Sequence, residues 1–242
     1  MKIRSVFDGV ELRTELSKTG IDPKFIPIIW KHIFRRNTNS DSDCDWEWEK
    51  HVPSLPCSAY SFLRSNFKTP LSSSLDSVYH SSDNVTSKLV IKLQNGEFVE
   101  AVIMRYDTRL GKYGGQPRSG GLRATLCISS QVGCKMGCKF CATGTMGFKS
   151  NLSSGEIVEQ LVHASSFAQI RNVVFMVILF LFSKYLFFLF CLYLFIYCSC
   201  FQGMGEPLNN YSAVVESVRI MTASPFQLSL KRITVSTVNY LL

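Results

Sequence analysis

The segment Cys134-Lys-Met-Gly-Cys138-Lys-Phe-Cys141 constrains this chain most. It places three thiols on one tight loop and supplies no fourth. A closed structural zinc site takes four ligands, and no histidine lies near the loop to complete one. A [4Fe–4S] cluster normally takes four cysteines, so a three-cysteine loop leaves one iron with an open position. That is what an iron–sulfur enzyme needs if a small molecule is to be bound and reduced at the cluster. Taken singly, each cysteine could equally be a structural thiol or a zinc ligand.

The flanks indicate the scaffold. Ala124 to Ile128 reads as a short strand running into the loop. Ser153 with Glu156 is a capping box, and it opens a helix with Ile157, Leu161 and Ala164 on one face. Asn172-Val-Val-Phe-Met reads as the next buried strand. Strand, loop, helix and strand form the opening of a parallel α/β barrel, whose cofactor loops lie at the C-terminal ends of the strands.

The words around the triplet are more specific than its spacing. Residues 123–150 read RATLCISSQVGCKMGCKFCATGTMGFKS, followed by NVVFM at 172–176, GMGEPLNNY at 203–211 and LKRITVSTV at 230–238. From about residue 85 onward the chain resembles the RlmN/Cfr family, the radical SAM enzymes that methylate C2 of adenine in ribosomal and transfer RNA. The resemblance implies an α/β fold, here an incomplete radical SAM (β/α) barrel with a small helical N-terminal domain and a β-hairpin. It also implies that Cys134, Cys138 and Cys141 ligate a [4Fe–4S] cluster, which cleaves S-adenosylmethionine to a 5′-deoxyadenosyl radical. Gly205 and Glu206 match the family's cofactor-holding turn, and Ser236 matches a further cofactor contact. Glu100 corresponds to a proton acceptor for adenine C2, and Cys127 to a thiol that resolves a covalent protein–RNA intermediate. From the residues alone these are a Gly-Glu-Pro turn, a serine at a strand end, a strand carboxylate and a buried strand cysteine.

The division expected is a helical accessory domain at 1–75, a hairpin at 85–106 and a radical SAM core at 107–242. Helix-period apolar residues occur at 8–36, broken by Gly20 and Pro23, and a second helical stretch carries Trp46 and Trp48. Leu71 to Asp83 reads as a serine-rich linker. Lys88 to Leu93 and Phe98 to Met104 form the hairpin strands, and Asn95-Gly96 predicts a type I′ turn.

The chain carries a formal charge of +8, and from Arg105 to Lys149 eight basic residues face one acid, Asp107. This concentrates positive charge beside the cysteine loop, where an RNA backbone would approach, although a solvated basic loop reads the same way. Nine cysteines that are scattered apart from the triplet exclude a secreted disulfide framework. Iron–sulfur thiolates need a reducing compartment. Met1-Lys-Ile-Arg is followed by no apolar region, and Asp8, Glu11 and Glu15 come early. The expected location is cytoplasmic, with an organelle as the alternative. The expected partners are RNA and an electron donor such as a flavodoxin or ferredoxin.

One segment breaks the resemblance. Val177 to Gln202 holds seven of the 18 phenylalanines and three of the nine cysteines. With 173–176 it is long enough to cross a bilayer, so 173–200 would be a membrane partner if it is a genuine transmembrane segment. Without 177–202 the flanks join as NVVFM-GMGEPLNNY, which is how the resembled family runs. Its residues are mostly encodable by uridine-rich codons, and its ends fit an intron's. The readings are an in-frame retained intron or gene-model error, a membrane segment, or a buried apolar insertion. If translated, the segment is expected to pull the Gly205–Glu206 turn out of register with the cysteine loop. The resemblance further implies a methyl-carrying cysteine toward the C-terminus, and the sequence to Leu242 offers no candidate. An inactive truncated or membrane-associated product, and a radical SAM enzyme with another substrate, are the alternative functions.

Overall fold

The structure, a computed structural model, describes residues 5–38, 46–107, 109, 121–138, 141–175 and 204–237. The segment 177–202 and the question of its origin lie outside the described residues. So do Cys44, Lys112, Arg118 and Lys139.

A six-stranded mixed sheet runs in the order β1-β2-β3-β4-β7-β8. Its first half is an antiparallel meander of β1 (Ser74–His80), β2 (Thr86–Lys92) and β3 (Phe98–Asp107), and β3 pairs antiparallel with β4 (Leu122–Ile128). Its second half is parallel, with β4 beside β7 (Ile170–Phe175) and β7 beside β8 (Ile233–Val235). Strands β5 (Gln131–Gly133) and β6 (Phe148–Asn151) form a separate antiparallel pair. Parallel strands covered by helices read as near-continuous apolar runs, which is why LRATLCI and IRNVVF were recognisable as strands.

Helix α6 (Ser154–Ser165) makes the crossover between β4 and β7. The Ser153 hydroxyl accepts from the Glu156 amide at 3.1 Å, and the Glu156 carboxylate accepts from the Ser153 amide at 2.8 Å, so the expected capping box is formed. Of the ten residues from Gly155 to Ala164, all but Glu156 are buried, because α6 is covered on both sides. The sheet lies beneath it, and α2 (Ile26–Thr38) and α7 (Tyr211–Thr222) pack against it.

The helical N-terminal segment, α1 (Gly9–Lys18), α2, α3 (Trp48–His51) and α4 (Cys57–Asn66), shares one apolar core with α6, α7 and the sheet. Phe7 packs near Trp30 and Phe226, with ring centroids 5.9 and 5.8 Å away, and the Trp30 indole donates to the Val6 carbonyl at 2.8 Å.

Two local expectations are corrected. Leu71–Asp83 is not only a linker, because Ser74–His80 is the edge strand β1, with Leu75 and Val78 packed on the core. Its serines and aspartate hide the alternation, and an edge strand tolerates them because one flank faces water. The Asn95-Gly96 turn is not type I′, which needs positive φ at both central residues. Only Gly96 is left-handed, at φ 83°, and its amide donates to the Leu93 carbonyl at 3.0 Å. Asn95 instead uses its side chain to accept from the Glu97 amide at 3.0 Å.

Residues 173–175, part of the apolar run that suggested a membrane span, belong to β7 in the middle of the sheet. Among the described residues no helix is long and apolar enough to cross a membrane.

Candidate cofactor site at the strand ends

The loops that follow β4, β7 and β8 meet at the C-terminal edge of the parallel strands. The segment Ser129–Gln131, just past β4, acts as a template for the turn after β7. The Ser130 and Gln131 amides both donate to the Met204 carbonyl, at 2.8 and 3.2 Å. The Gln131 side chain accepts from the Glu206 amide at 3.0 Å and donates to Asn151 at 2.6 Å. Asn210 closes the arrangement by donating to the Ser130 and Leu152 carbonyls, both at 2.8 Å.

Gly205 must be glycine here. Its φ is 100°, and an added Cβ would stand 2.5 Å from the Gln131 Cβ. The displacement expected from the inserted segment is therefore not seen: Met204–Glu206 is docked in backbone register against the strand that leads to the cysteine loop. Local hydrogen bonds fix this register, so it does not depend on the length of chain preceding it.

The cysteine loop is an excursion between β5 and β6. Its neck is tight, because a Cβ on Gly133 would lie 1.7 Å from the Gly147 carbonyl oxygen, which accepts from the Cys134 amide at 3.1 Å. The Cys141 amide donates to the Cys138 carbonyl at 3.0 Å, and the one-turn helix α5 (Ala142–Thr145) follows directly. Cys134, Cys138 and Cys141 are half-buried thiols, none of them in a disulfide. Burial pushes the Cys134 thiol pKa up; the Met136 amide opposes this, and the charges of Cys141, Cys138 and Glu206 add to it. The turn after β7 touches this loop, with the Asn209 side-chain amide donating to the Met136 sulfur at 3.6 Å. Among the described residues no three His, Cys, Asp or Glu side chains converge tightly enough to enclose a metal ion.

Glu206 is buried, and its Oε1 accepts from the Leu208 amide at 3.1 Å and from the Thr237 hydroxyl at 2.5 Å. The carboxylate thus caps the 3-10 turn Pro207–Asn210 and ties the turn after β7 to the end of β8. Ser236 is half-buried at that same edge, with its amide donating to the Phe175 carbonyl at 2.8 Å.

Glu100 and Cys127 lie apart from these loops but on a common face. Val99, Ala101, Ile103, Leu126 and Ile128 point into the core that includes α6, whereas Cys127 and its cross-strand partner Val102 are buried outside that core. By the pleat, Glu100, Val102 and Cys127 share the opposite face, together with Thr125 and Asn172. Glu100 is paired there with Lys88 at 3.0 Å.

Sequence reading missed Ser129, Gln131, Gln160, Asn210 and Thr237. The first two stood within ISSQVGC, and Thr237 within ITVSTV. What they lacked was a chemical signature, because amides and hydroxyls acting on backbone groups leave no spacing rule.

No family model matches the chain. It is 38% identical over 164 residues to "Ribosomal RNA large subunit methyltransferase N" of Nitrosopumilus maritimus, a match covering 65% of this chain and 37% of that protein. It is 40% identical over 164 residues to "Probable dual-specificity RNA methyltransferase RlmN" of Corynebacterium diphtheriae, covering 64% and 34% respectively. The chain thus spans just over a third of the length of these curated relatives. Among solved structures, a radical SAM methyltransferase from Sphaerobacter thermophilus superposes with a TM-score of 0.66 at 27% identity, covering 96% of this chain and 56% of that one.

Likeness to the radical SAM methyltransferases implies a [4Fe–4S] cluster and S-adenosylmethionine as cofactors. The donor set fits: three soft thiols on one loop, none in a disulfide, partly open to solvent, beside a turn whose glycine admits close backbone approach. Over about two thirds of its length this chain is a relative of the RlmN-type methyltransferases, and it has the fold of a radical SAM methyltransferase.

Proposed function

We propose that this chain carries the cluster- and S-adenosylmethionine-binding part of an RNA methyltransferase acting on C2 of adenine in ribosomal or transfer RNA. The observation that carries this reading is the docking of the Met204–Glu206 turn onto Ser130 and Gln131, with Asn209 of the same segment reaching Met136 of the cysteine loop at 3.6 Å. Cys134, Cys138 and Cys141 hold the cluster. The Gly205–Glu206 turn and Ser236 hold S-adenosylmethionine, the Glu206 carboxylate or nearby carbonyls meeting its ammonium group while Glu206 Oε1 accepts from Leu208 and Thr237. When bound, these groups supply one-electron reduction and the methyl group.

The remaining tasks fall to the chain's own side chains. Glu100 accepts the proton from adenine C2, and Lys88 orients its carboxylate across the hairpin. Cys127, on the same sheet face, would resolve a protein–RNA link formed through a methyl-carrying cysteine, for which residues 1–242 offer no candidate. The printed names of both curated relatives support RNA as the substrate class. Exposed Arg123, Lys135 and Lys149 give the site's surroundings the charge that a phosphate backbone or an acidic flavodoxin or ferredoxin donor would meet. The reducing environment that such thiols need fits the cytoplasm, with an organelle interior as the alternative.

The test is nucleoside analysis of adenine-containing ribosomal and transfer RNA after anaerobic incubation with the reconstituted chain, a reductant and S-adenosylmethionine. With a methyl-carrying cysteine supplied in trans by the remainder of such an enzyme, the expected product is 2-methyladenosine. Reductive cleavage of S-adenosylmethionine with no methylated RNA would assign the chain another substrate.

A further inference from the structure

Ser129 is fully buried and is the first residue beyond β4, where the strand ladder ends. Its backbone finds partners in a side chain instead. Gln160, itself fully buried on α6, accepts from the Ser129 amide at 2.8 Å and donates to the Ser129 carbonyl at 2.9 Å. One side-chain amide thus makes both bonds that a neighbouring strand would make. The Ser129 hydroxyl is also used twice. It donates to the Glu100 carbonyl at 2.6 Å and accepts from the Met204 amide at 2.7 Å.

We propose that Ser129 is a positioning residue: held by Gln160, its hydroxyl sets the Met204–Glu206 turn against the strand that carries Glu100. This rests on the reading above that the turn holds S-adenosylmethionine and that Glu100 takes the proton. A hydroxyl is the group required, since it alone among small side chains donates and accepts at once. Alanine would leave the Glu100 carbonyl and the Met204 amide buried without this partner. Reaction rates respond to displacements of about an ångström between reacting groups, and this bridge of two short hydrogen bonds fixes that distance.

The experiment compares full-length wild type with Ser129→Ala, Ser129→Thr, Gln160→Met and Gln160→Glu. Hydrogen exchange of the cofactor-free chain reads the bridge directly. In Ser129→Ala the peptide containing Met204–Asn210 should exchange roughly tenfold faster, while peptides from α1 and α4 are unchanged. After anaerobic reconstitution, iron content should match wild type and affinity for S-adenosylmethionine should fall roughly tenfold. Ser129→Thr, which keeps the hydroxyl, should recover most of both. Gln160→Glu keeps the acceptor for the Ser129 amide and should fall between wild type and Gln160→Met.

Unchanged exchange and unchanged affinity in Ser129→Ala would overturn the proposal. So would a loss of affinity that merely tracks lost iron. If wild type binds S-adenosylmethionine but methylates no RNA, the function fails while the affinity comparison still decides the role of Ser129. If wild type binds none, both fall.

Discussion

Glu100 on β3 and Cys127 on β4 stand on the same face of the sheet, the face turned away from α6, with Val102 directly opposite Cys127 and two residues from Glu100. Strand register alone delivers this: a slip of one residue would turn either side chain into the core. Glu100→Gln should therefore leave the fold intact, since the half-exposed pair with Lys88 contributes about 0.5 kcal/mol. Methylation should fall by roughly 10²-fold or more if Glu100 is the proton acceptor. Cys127→Ala, assayed where a methyl-carrying cysteine is supplied, should instead trap RNA on the protein, seen as a band that survives denaturing electrophoresis.

At the strand ends, the Thr237 hydroxyl and the Leu208 amide share Glu206 Oε1. Thr237→Val removes one donor to a buried carboxylate. Chemical denaturation should show a loss of about 1–3 kcal/mol, larger than for a neutral hydrogen bond of the same length.

Gly205→Ala should displace the Met204–Glu206 turn, because its backbone is left-handed and its Cβ would meet Gln131 at 2.5 Å. The expected result is a chain that still takes up iron on the cysteine loop but no longer binds S-adenosylmethionine. Iron analysis and equilibrium binding on the same sample separate the two.

Helix α6 holds an opposed pair of titratable groups. The Glu159 carboxylate accepts from the Ser72 and Ser73 amides at 2.7 and 2.8 Å, and Ser73 also contacts His163 at 3.1 Å. Burial raises Glu159 from 4.5 to about 7, against the pull of hydrogen bonds from Ser5, Ser73 and Ser72. Burial lowers His163 from 6.5 to about 4. The folded state binds more protons than the unfolded state at Glu159, so that contribution is full below pH 4.5 and lost as pH rises through 7. At His163 it binds fewer, so that contribution is full above pH 6.5 and lost as pH falls through 4. Each amounts to roughly 3 kcal/mol, and between them the slopes oppose. Stability of the wild type should be nearly flat over this window. Glu159→Gln should lose stability on acidification, and His163→Leu should lose it as pH rises. Parallel profiles for the two variants would contradict this.

Much of the scaffold was legible because its signals are local. The capping box at Ser153 and Glu156, the apolar runs of β4 and β7, and the cysteine spacing each state their chemistry within a few residues. Strand β1 was hidden, since an edge strand can carry Ser74, Asp76 and Ser77 without burying them. The Asn95-Gly96 turn was placed but misclassified, because Asn95 satisfies the Glu97 amide through its side chain rather than by adopting positive φ. The register of the Met204–Glu206 turn was misjudged for a different reason. Connection length suggested displacement, but hydrogen bonds from Ser129, Ser130 and Gln131 outweigh it, and those partners lie more than 70 residues away in sequence.

The most direct measurement is anaerobic reconstitution of the full chain with iron and sulfide, followed by metal analysis and electron paramagnetic resonance of the reduced protein with and without S-adenosylmethionine. The expected result is about four irons per chain, a signal that shifts when S-adenosylmethionine is added, and loss of both on replacing Cys134, Cys138 or Cys141 by alanine. Iron that does not depend on these three cysteines, or a signal indifferent to S-adenosylmethionine, would contradict the assignment of the strand-end loops as the cofactor site.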